Sequence, residues 1–225
     1  MDYKIYSFLL LAVSLGFVHT LLGPDHYLPF IVLSKSKGWS LRKTLFITFG
    51  CGIGHVLSSV LIGFLGIGLG WAVGELVTIE SYRGEIAGWL MLSIGILYFI
   101  WGLRQGIVGK IHHHSHENNH DISHNHNHLP TQSMTPWILF LIFVFGPCEP
   151  LIPVLMYPAV QKNIWMLIFV VLAFAASTLI TMLSVVTIAS KGLNLVKFNF
   201  LERWTHAFAG GSITIVAAGM VFFGL

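Results

Sequence analysis

The sequence predicts an all-α integral membrane protein of about six transmembrane helices, arranged as two inverted three-helix repeats with broken helices at their Gly-Pro motifs. Three observations predict it. Of 225 residues, 55% are hydrophobic and only 9% charged, with a mean hydropathy of +0.79, which leaves too little polar surface for a water-soluble globule. Apolar stretches approaching the roughly 20 residues that a bilayer demands recur along the chain. Short motifs also return at a nearly constant offset between its two halves.

The predicted spans lie near residues 5–22, 43–71, 86–103, 136–157, 164–189 and 206–225. Lys4 ahead of the first gives it the look of a signal peptide, but no small-x-small cleavage site follows, so it reads as a retained span. An even number of spans puts both ends of the chain on one side. Lys35, Lys37, Arg42, Lys43, Arg104, Lys110, Lys191, Lys197 and Arg203 follow spans one, three and five, against Lys4, Arg83 and Lys162 on the other face. The positive-inside bias therefore predicts both termini outside the cytoplasm, in a bacterial inner or plasma membrane. The formal charge of +3 reflects this topology, so lipid rather than nucleic acid is the expected partner. The division follows: residues 1–110 as the first repeat, 111–133 as a histidine-rich cytoplasmic loop, and 134–225 as the second repeat, with oligomeric state left open.

The repeat rests on paired residues. An offset of 123 lays Gly23-Pro24-Asp25-His26 on Gly146-Pro147-Cys148-Glu149, and an offset of 122 lays Ala87-Gly88 on Ala209-Gly210 and Gly102-Leu103 on Gly224-Leu225. The same shift sets His55 opposite Ser177 and Ser59 opposite Thr181. Each half holds three spans, an odd number, so the second lies inverted relative to the first, as in many secondary transporters.

In that architecture a Gly/Pro interruption at corresponding places marks the site. Proline withholds an amide hydrogen and clashes with the preceding turn, so Gly23-Pro24 and Gly146-Pro147 should unwind their helices and free backbone carbonyls as ligands. At these breaks stand Asp25 and Glu149, expected to be the only carboxylates inside spans, with His19, His26 and Cys148; the second span adds His55 beside Ser58 and Ser59. A carboxylate at membrane depth costs about 2.5–3.5 kcal/mol by insertion scales, and a bound cation would offset that. Imidazole, carboxylate and thiolate together suit a borderline divalent ion: nickel, cobalt, zinc or copper. His19, Asp25, His26, His55, Cys148 and Glu149 are thus the candidate ligands. Gly23, Pro24, Ser58, Ser59, Gly146, Pro147, Ser177 and Thr181 support them. The plainer readings are a histidine bridging helices by a hydrogen bond, a small inert cysteine, and an interfacial His206 beside Trp204. Gly66-Ile-Gly-Leu-Gly70 has no phosphate-binding lysine and reads as helix packing.

Eight of the twelve histidines, His112, His113, His114, His116, His120, His124, His126 and His128, crowd the connection between the halves. This polar tract is expected to be disordered and to collect metal on the cytoplasmic side.

These motifs resemble the nickel/cobalt transporter superfamily, including its six-span efflux and urease-accessory-like branches. The likeness rests on His19, Asp25 and His26 in the first span, Gly54-His55 with Ser58 in the second, and the tract from His112 to His128. The interval from His19 to Asp25 is one residue longer than the family's usual spacing. The resemblance implies a secondary transporter of divalent transition metal, nickel or cobalt first. Efflux is favoured over uptake because the histidine tract faces the cytoplasm, where a metallochaperone would be a compatible partner. No permanently bound cofactor and no enzymatic activity are implied, and no His-Glu-x-x-His motif is present.

Two other classes compete. Gly146-Pro147-Cys148-Glu149-Pro150 is similar to the proline-cysteine motif of membrane thiol/disulfide electron carriers in cytochrome c maturation, and the chain has two cysteines. Those carriers place a cysteine at equivalent positions of each repeat, whereas here Cys148 faces Asp25 and Cys51 faces Ala173. A sulfite- or sulfonate-type anion exporter shares the inverted repeat, but acidic residues at the breaks oppose an anion.

Overall fold

The computed structural model describes residues 2–108, 131–146, 148–195 and 204–223. The histidine tract 112–128, its flank Lys110, and Pro147, Lys197, Arg203, Gly224 and Leu225 lie outside them. The chain is all-α and of membrane type, with no strand among the described residues. Its helices are α1 (Asp2–Leu22), α2 (Leu28–Ser36), α3 (Leu41–Leu69), α4 (Val73–Val108), α5 (Thr131–Phe145), α6 (Leu151–Val160), α7 (Ile164–Leu195) and α8 (Thr205–Phe223), with a 3-10 turn at Pro24–His26 between α1 and α2.

Among the described residues, five stretches are long and apolar enough to cross a bilayer: Ile5–Leu22, Leu41–Leu69, Val73–Ile107, Ile164–Gly192 and Thr205–Phe223. The expected span at 136–157 is instead two shorter apolar helices, Pro136–Phe145 and Leu151–Val160. The third span also begins earlier than expected, at Val73 rather than near residue 86. Arg83 is therefore a helix residue and not part of an outer loop, and Glu80, fully buried, joins the carboxylates at membrane depth. Hydropathy alone trims a span where charges appear; a paired carboxylate and guanidinium inside the protein escape that rule.

The first break forms as proline chemistry demands. Gly23 N–H still bonds the His19 carbonyl at 3.0 Å, but Pro24 has no N–H to offer the next rung. The chain tightens instead, with His26 N–H on the Gly23 carbonyl at 3.1 Å and Tyr27 N–H on the Pro24 carbonyl at 3.3 Å. Tyr27 Oη ties back to the Leu21 carbonyl at 3.2 Å. At the second break Gly146 N–H reaches back to the Phe143 carbonyl at 3.1 Å, and Leu151 N–H to the Cys148 carbonyl at 3.0 Å restarts the helix as α6. Between α3 and α4, Gly70 takes φ 75°, and Trp71 N–H closes on the Gly66 carbonyl at 2.9 Å. This is the left-handed glycine stop that caps the last carbonyls of a helix.

Packing is by small residues. α4 and α8 run antiparallel: Gly88 lies against Val221, Gly95 against the Thr214 backbone, Gly102 against the Ala207 backbone and Gly210 against the Phe99 backbone. Without water to drive helices together, such close backbone approach supplies the van der Waals contact. α1 pairs with α7, where a Cβ at Gly16 would stand 3.0 Å from the Phe174 carbonyl oxygen and Ser177 Oγ donates to the Val13 carbonyl at 2.7 Å. α3 packs on α5, α6 and α7. The outward faces keep large apolar side chains, such as Phe46, Leu97, Trp165 and Ile215, exposed to lipid.

Candidate functional site

The two breaks meet at α3. His19 comes from the last turn of α1, His26 from the 3-10 turn, and His55 from the middle of α3. Their nitrogen ligand atoms lie within 4.8 Å of one another. Ring centroids are 4.7 Å apart for His19 and His26 and 5.0 Å for His26 and His55, with the rings nearly perpendicular in both pairs.

The other ring nitrogens fix how the site can work. His55 Nδ1 lies 3.2 Å from the Phe143 carbonyl. A carbonyl only accepts, so Nδ1 carries the hydrogen and Nε2 keeps its lone pair. His26 Nδ1 sits 3.2 Å from both the Gly23 carbonyl and Asp25 Oδ1, which sets the same tautomer. Asp25 thereby orients His26 rather than joining the imidazole group itself. The Nε2 atoms of His19, His26 and His55 are all buried and have no hydrogen-bond partner among the described residues. Leaving a buried polar atom unsatisfied costs about 1–3 kcal/mol each, and three imidazoles whose ligand nitrogens lie this close together are the donor set of a transition-metal ion. The residues present fit such an ion.

Cys148 and Glu149 are adjacent in sequence but diverge. Cys148 is fully buried, packed with Leu151, Phe174 and Ala12, and its N–H donates to Glu80 Oε2 at 3.0 Å. Glu149 is exposed and lines a cavity with Asp25, His19 and His26. Neither belongs to the histidine group. Cys51, one turn before His55 on α3, packs with Phe30, Phe143 and Met182 in a separate core cluster. Both thiols are free. Of the supporting residues, Gly146 approaches His55, its added Cβ falling 3.1 Å from Nδ1. Gly23 and Pro24 build the first break. Ser177 and Thr181 face α1 along α7, away from the imidazoles.

Sequence reasoning missed Glu80 and Arg83. Glu80 is fully buried in contact with Arg83 Nη1, and accepts from Ser59 Oγ at 3.0 Å. Arg83 Nη2 donates to Ser58 Oγ at 2.7 Å, to the Val144 carbonyl at 2.6 Å and to the Gly146 carbonyl at 3.3 Å. Ser58 Oγ in turn donates to the His55 carbonyl at 2.8 Å. This clamp satisfies carbonyls that the second break frees, and so holds the segment carrying Phe143 against His55. The spacing of Glu80 and Arg83 at i and i+3 was the available signal.

A family model described as the cytochrome c biogenesis protein transmembrane region matches residues 28–225. No curated protein and no solved structure matches the chain. The match overturns the resemblance to the nickel/cobalt transporter superfamily and, with it, the expected function of nickel or cobalt transport, its efflux direction and its metallochaperone. That resemblance rested on a few polar positions, and three of them, His19, Asp25 and His26, stand ahead of the matched region. The match instead follows the chain from α2 through the end of α8.

Proposed function

Because the chain belongs to the cytochrome c biogenesis protein transmembrane-region family, we propose that this integral membrane protein carries reducing equivalents by thiol/disulfide exchange, with Cys51 and Cys148 as its redox pair. The observation that carries the reading, beside the family, is a pair of free, buried thiols, Cys51 and Cys148. Cys51 lies one turn before His55 on the same helix, and Cys148 lies two residues after Gly146, which approaches that ring. In the exchange, a disulfide of a partner protein takes up two electrons and two protons and becomes two thiols, while Cys51 and Cys148 lose them and form one disulfide. A disulfide needs Cβ atoms about 3.5–4.5 Å apart, and the two thiols now sit in separate packed clusters. Pairing them therefore requires α3 and the start of α6 to shift relative to one another.

The arrangement of two inverted halves, with both termini outside the cytoplasm and the histidine tract inside, belongs to the same reading. The inversion of the halves is supported by the antiparallel α4 and α8, and by the way α1 packs on α7 of the other half while α5 and α6 pack on α3.

The test is thiol trapping in membranes. Acid quenching followed by a mass-tagging maleimide should show a Cys51–Cys148 disulfide that forms with oxidant and disappears with reductant, and that is lost in Cys51→Ser and Cys148→Ser. Two thiols that stay reduced under every condition sink the reading.

A second reading is favoured by one observation, the three unpartnered Nε2 atoms. His19, His26 and His55 would hold a resident transition-metal ion such as zinc or copper, which supplies Lewis-acid or redox chemistry beside the thiols. The residues themselves do the positioning: Asp25 and the Gly23 carbonyl fix His26, and the Phe143 carbonyl fixes His55. Metal analysis of the purified protein, with the eight tract histidines replaced by alanine throughout and His19, His26 and His55 replaced in turn, tests it. Full metal content in His55→Ala would remove the centre.

A further inference from the structure

A cavity of about 900 Å³ runs from the histidine group to the last turn of α8, and resting on the metal-centre reading, we infer that it is an acidic vestibule through which a hydrated divalent cation reaches the three imidazoles, with Glu85 and Glu149 as its outer holding groups.

The cavity's wall is drawn from α1, both breaks, α4 and α8, and three carboxylates line it: Asp25, Glu85 and Glu149. Among the described residues, no lysine or arginine lines it. Arg83, the nearest basic residue along α4, is turned into the protein and engaged by Glu80, so it does not neutralise the wall. Glu85 and Glu149 are exposed, whereas His26 on the same wall is 3% exposed and its Nε2 has no partner. The cavity therefore joins exposed carboxylates to a buried imidazole nitrogen that has no hydrogen-bond partner.

Size and field agree with that role. Six waters occupy about 180 Å³ at their share of liquid volume, so an aquo ion fits with its hydration shell intact. Trp89, Val221 and Phe222 furnish apolar walls, and low-dielectric walls focus the field of like charges and raise the local cation concentration. The ion sheds water only at the inner end, where imidazole nitrogens replace it. Glu85 and Glu149 act on arrival and not on final coordination.

The experiment uses the full-length protein, with the eight tract histidines replaced by alanine in every form compared, in neutral nanodiscs and cobalt(II) chloride as probe, following visible absorption of imidazole-ligated cobalt by stopped flow. Glu85→Gln together with Glu149→Gln should slow association about tenfold at low ionic strength. The deficit should shrink to less than about twofold in 1 M salt, where the screening length falls to about 3 Å. The dissociation rate and the final spectrum should match the parent's. An association rate within twofold of the parent at low salt overturns the inference while leaving the histidine centre standing. A changed final spectrum makes the glutamates ligands and overturns it as well. Absence of a cobalt spectrum in the parent protein overturns the vestibule and the metal centre together.

Discussion

His55 donates its Nδ1 hydrogen to the Phe143 carbonyl at 3.2 Å, across 88 positions of chain. The bond joins α3 to the end of α5 just before the second break, so the state of that break is read directly by a ring of the histidine group. Whatever moves Phe143 turns the His55 lone pair.

Asp25→Asn should weaken metal binding about 10- to 100-fold, the usual loss when the group that orients a ligating histidine is altered. Competition titration with a chromogenic chelator measures it. His26→Ala, which removes a ligand, should cost more than Asp25→Asn; equal losses would mean that Asp25 is itself a ligand.

Removing one partner of the buried clamp should be severe. Glu80→Gln or Arg83→Gln leaves the other charge uncompensated, and breaking a buried pair typically costs about 3–5 kcal/mol. The double replacement should recover part of that loss. Thermal unfolding of the detergent-solubilised protein reads all three, and a double variant no better than the singles would deny the pairing.

Glycine substitutions should split by location. At Gly102 an added Cβ overlaps the Ala207 backbone, whereas at Gly50 it meets nothing within 4 Å. Gly102→Ala should destabilise by about 1–3 kcal/mol through overpacking. Gly50→Ala should stabilise by about 0.5–1 kcal/mol as helical entropy is relieved. Paired melting curves decide, and similar shifts for both would contradict the α4–α8 seam.

Cys148→Ala and Cys51→Ala should each abolish disulfide cycling while changing metal content little, because neither thiol lies in the histidine group. Parallel thiol trapping and metal analysis on the same preparations check this. Loss of metal in Cys148→Ala would bring the thiol back into the ligand set.

The breaks were legible in the sequence because proline's missing donor acts locally. His19, His26 and His55 were legible as residue types, and the longer interval between His19 and Asp25 is accommodated by the turn that begins at Pro24, which brings His19 and His26 ring to ring. Cys148 and Glu149 were grouped with the histidines because they share a break, but neighbouring residues at a helix start point in different directions, one into the core and one into the cavity. Glu80 and Arg83 escaped because hydropathy treats any charge as an end of a span, and only tertiary structure reveals that this pair is mutually satisfied. The family was misread from short polar motifs, three of whose residues, His19, Asp25 and His26, lie ahead of the region 28–225 over which the family match runs.

Glu80 and Arg83 lie on one helix, a single turn apart, and this bears on how the chain is made. A lone arginine or carboxylate leaving the translocon would meet lipid at a cost of about 2.5–3.5 kcal/mol. As i, i+3 neighbours they can neutralise each other before any other segment arrives. α4 can thus partition into the bilayer as it is synthesised, about 60 residues before the acceptors Val144 and Gly146 emerge. The late-arriving carbonyls then find their donor already waiting, and docking of the second break becomes the step that completes biogenesis of the bundle.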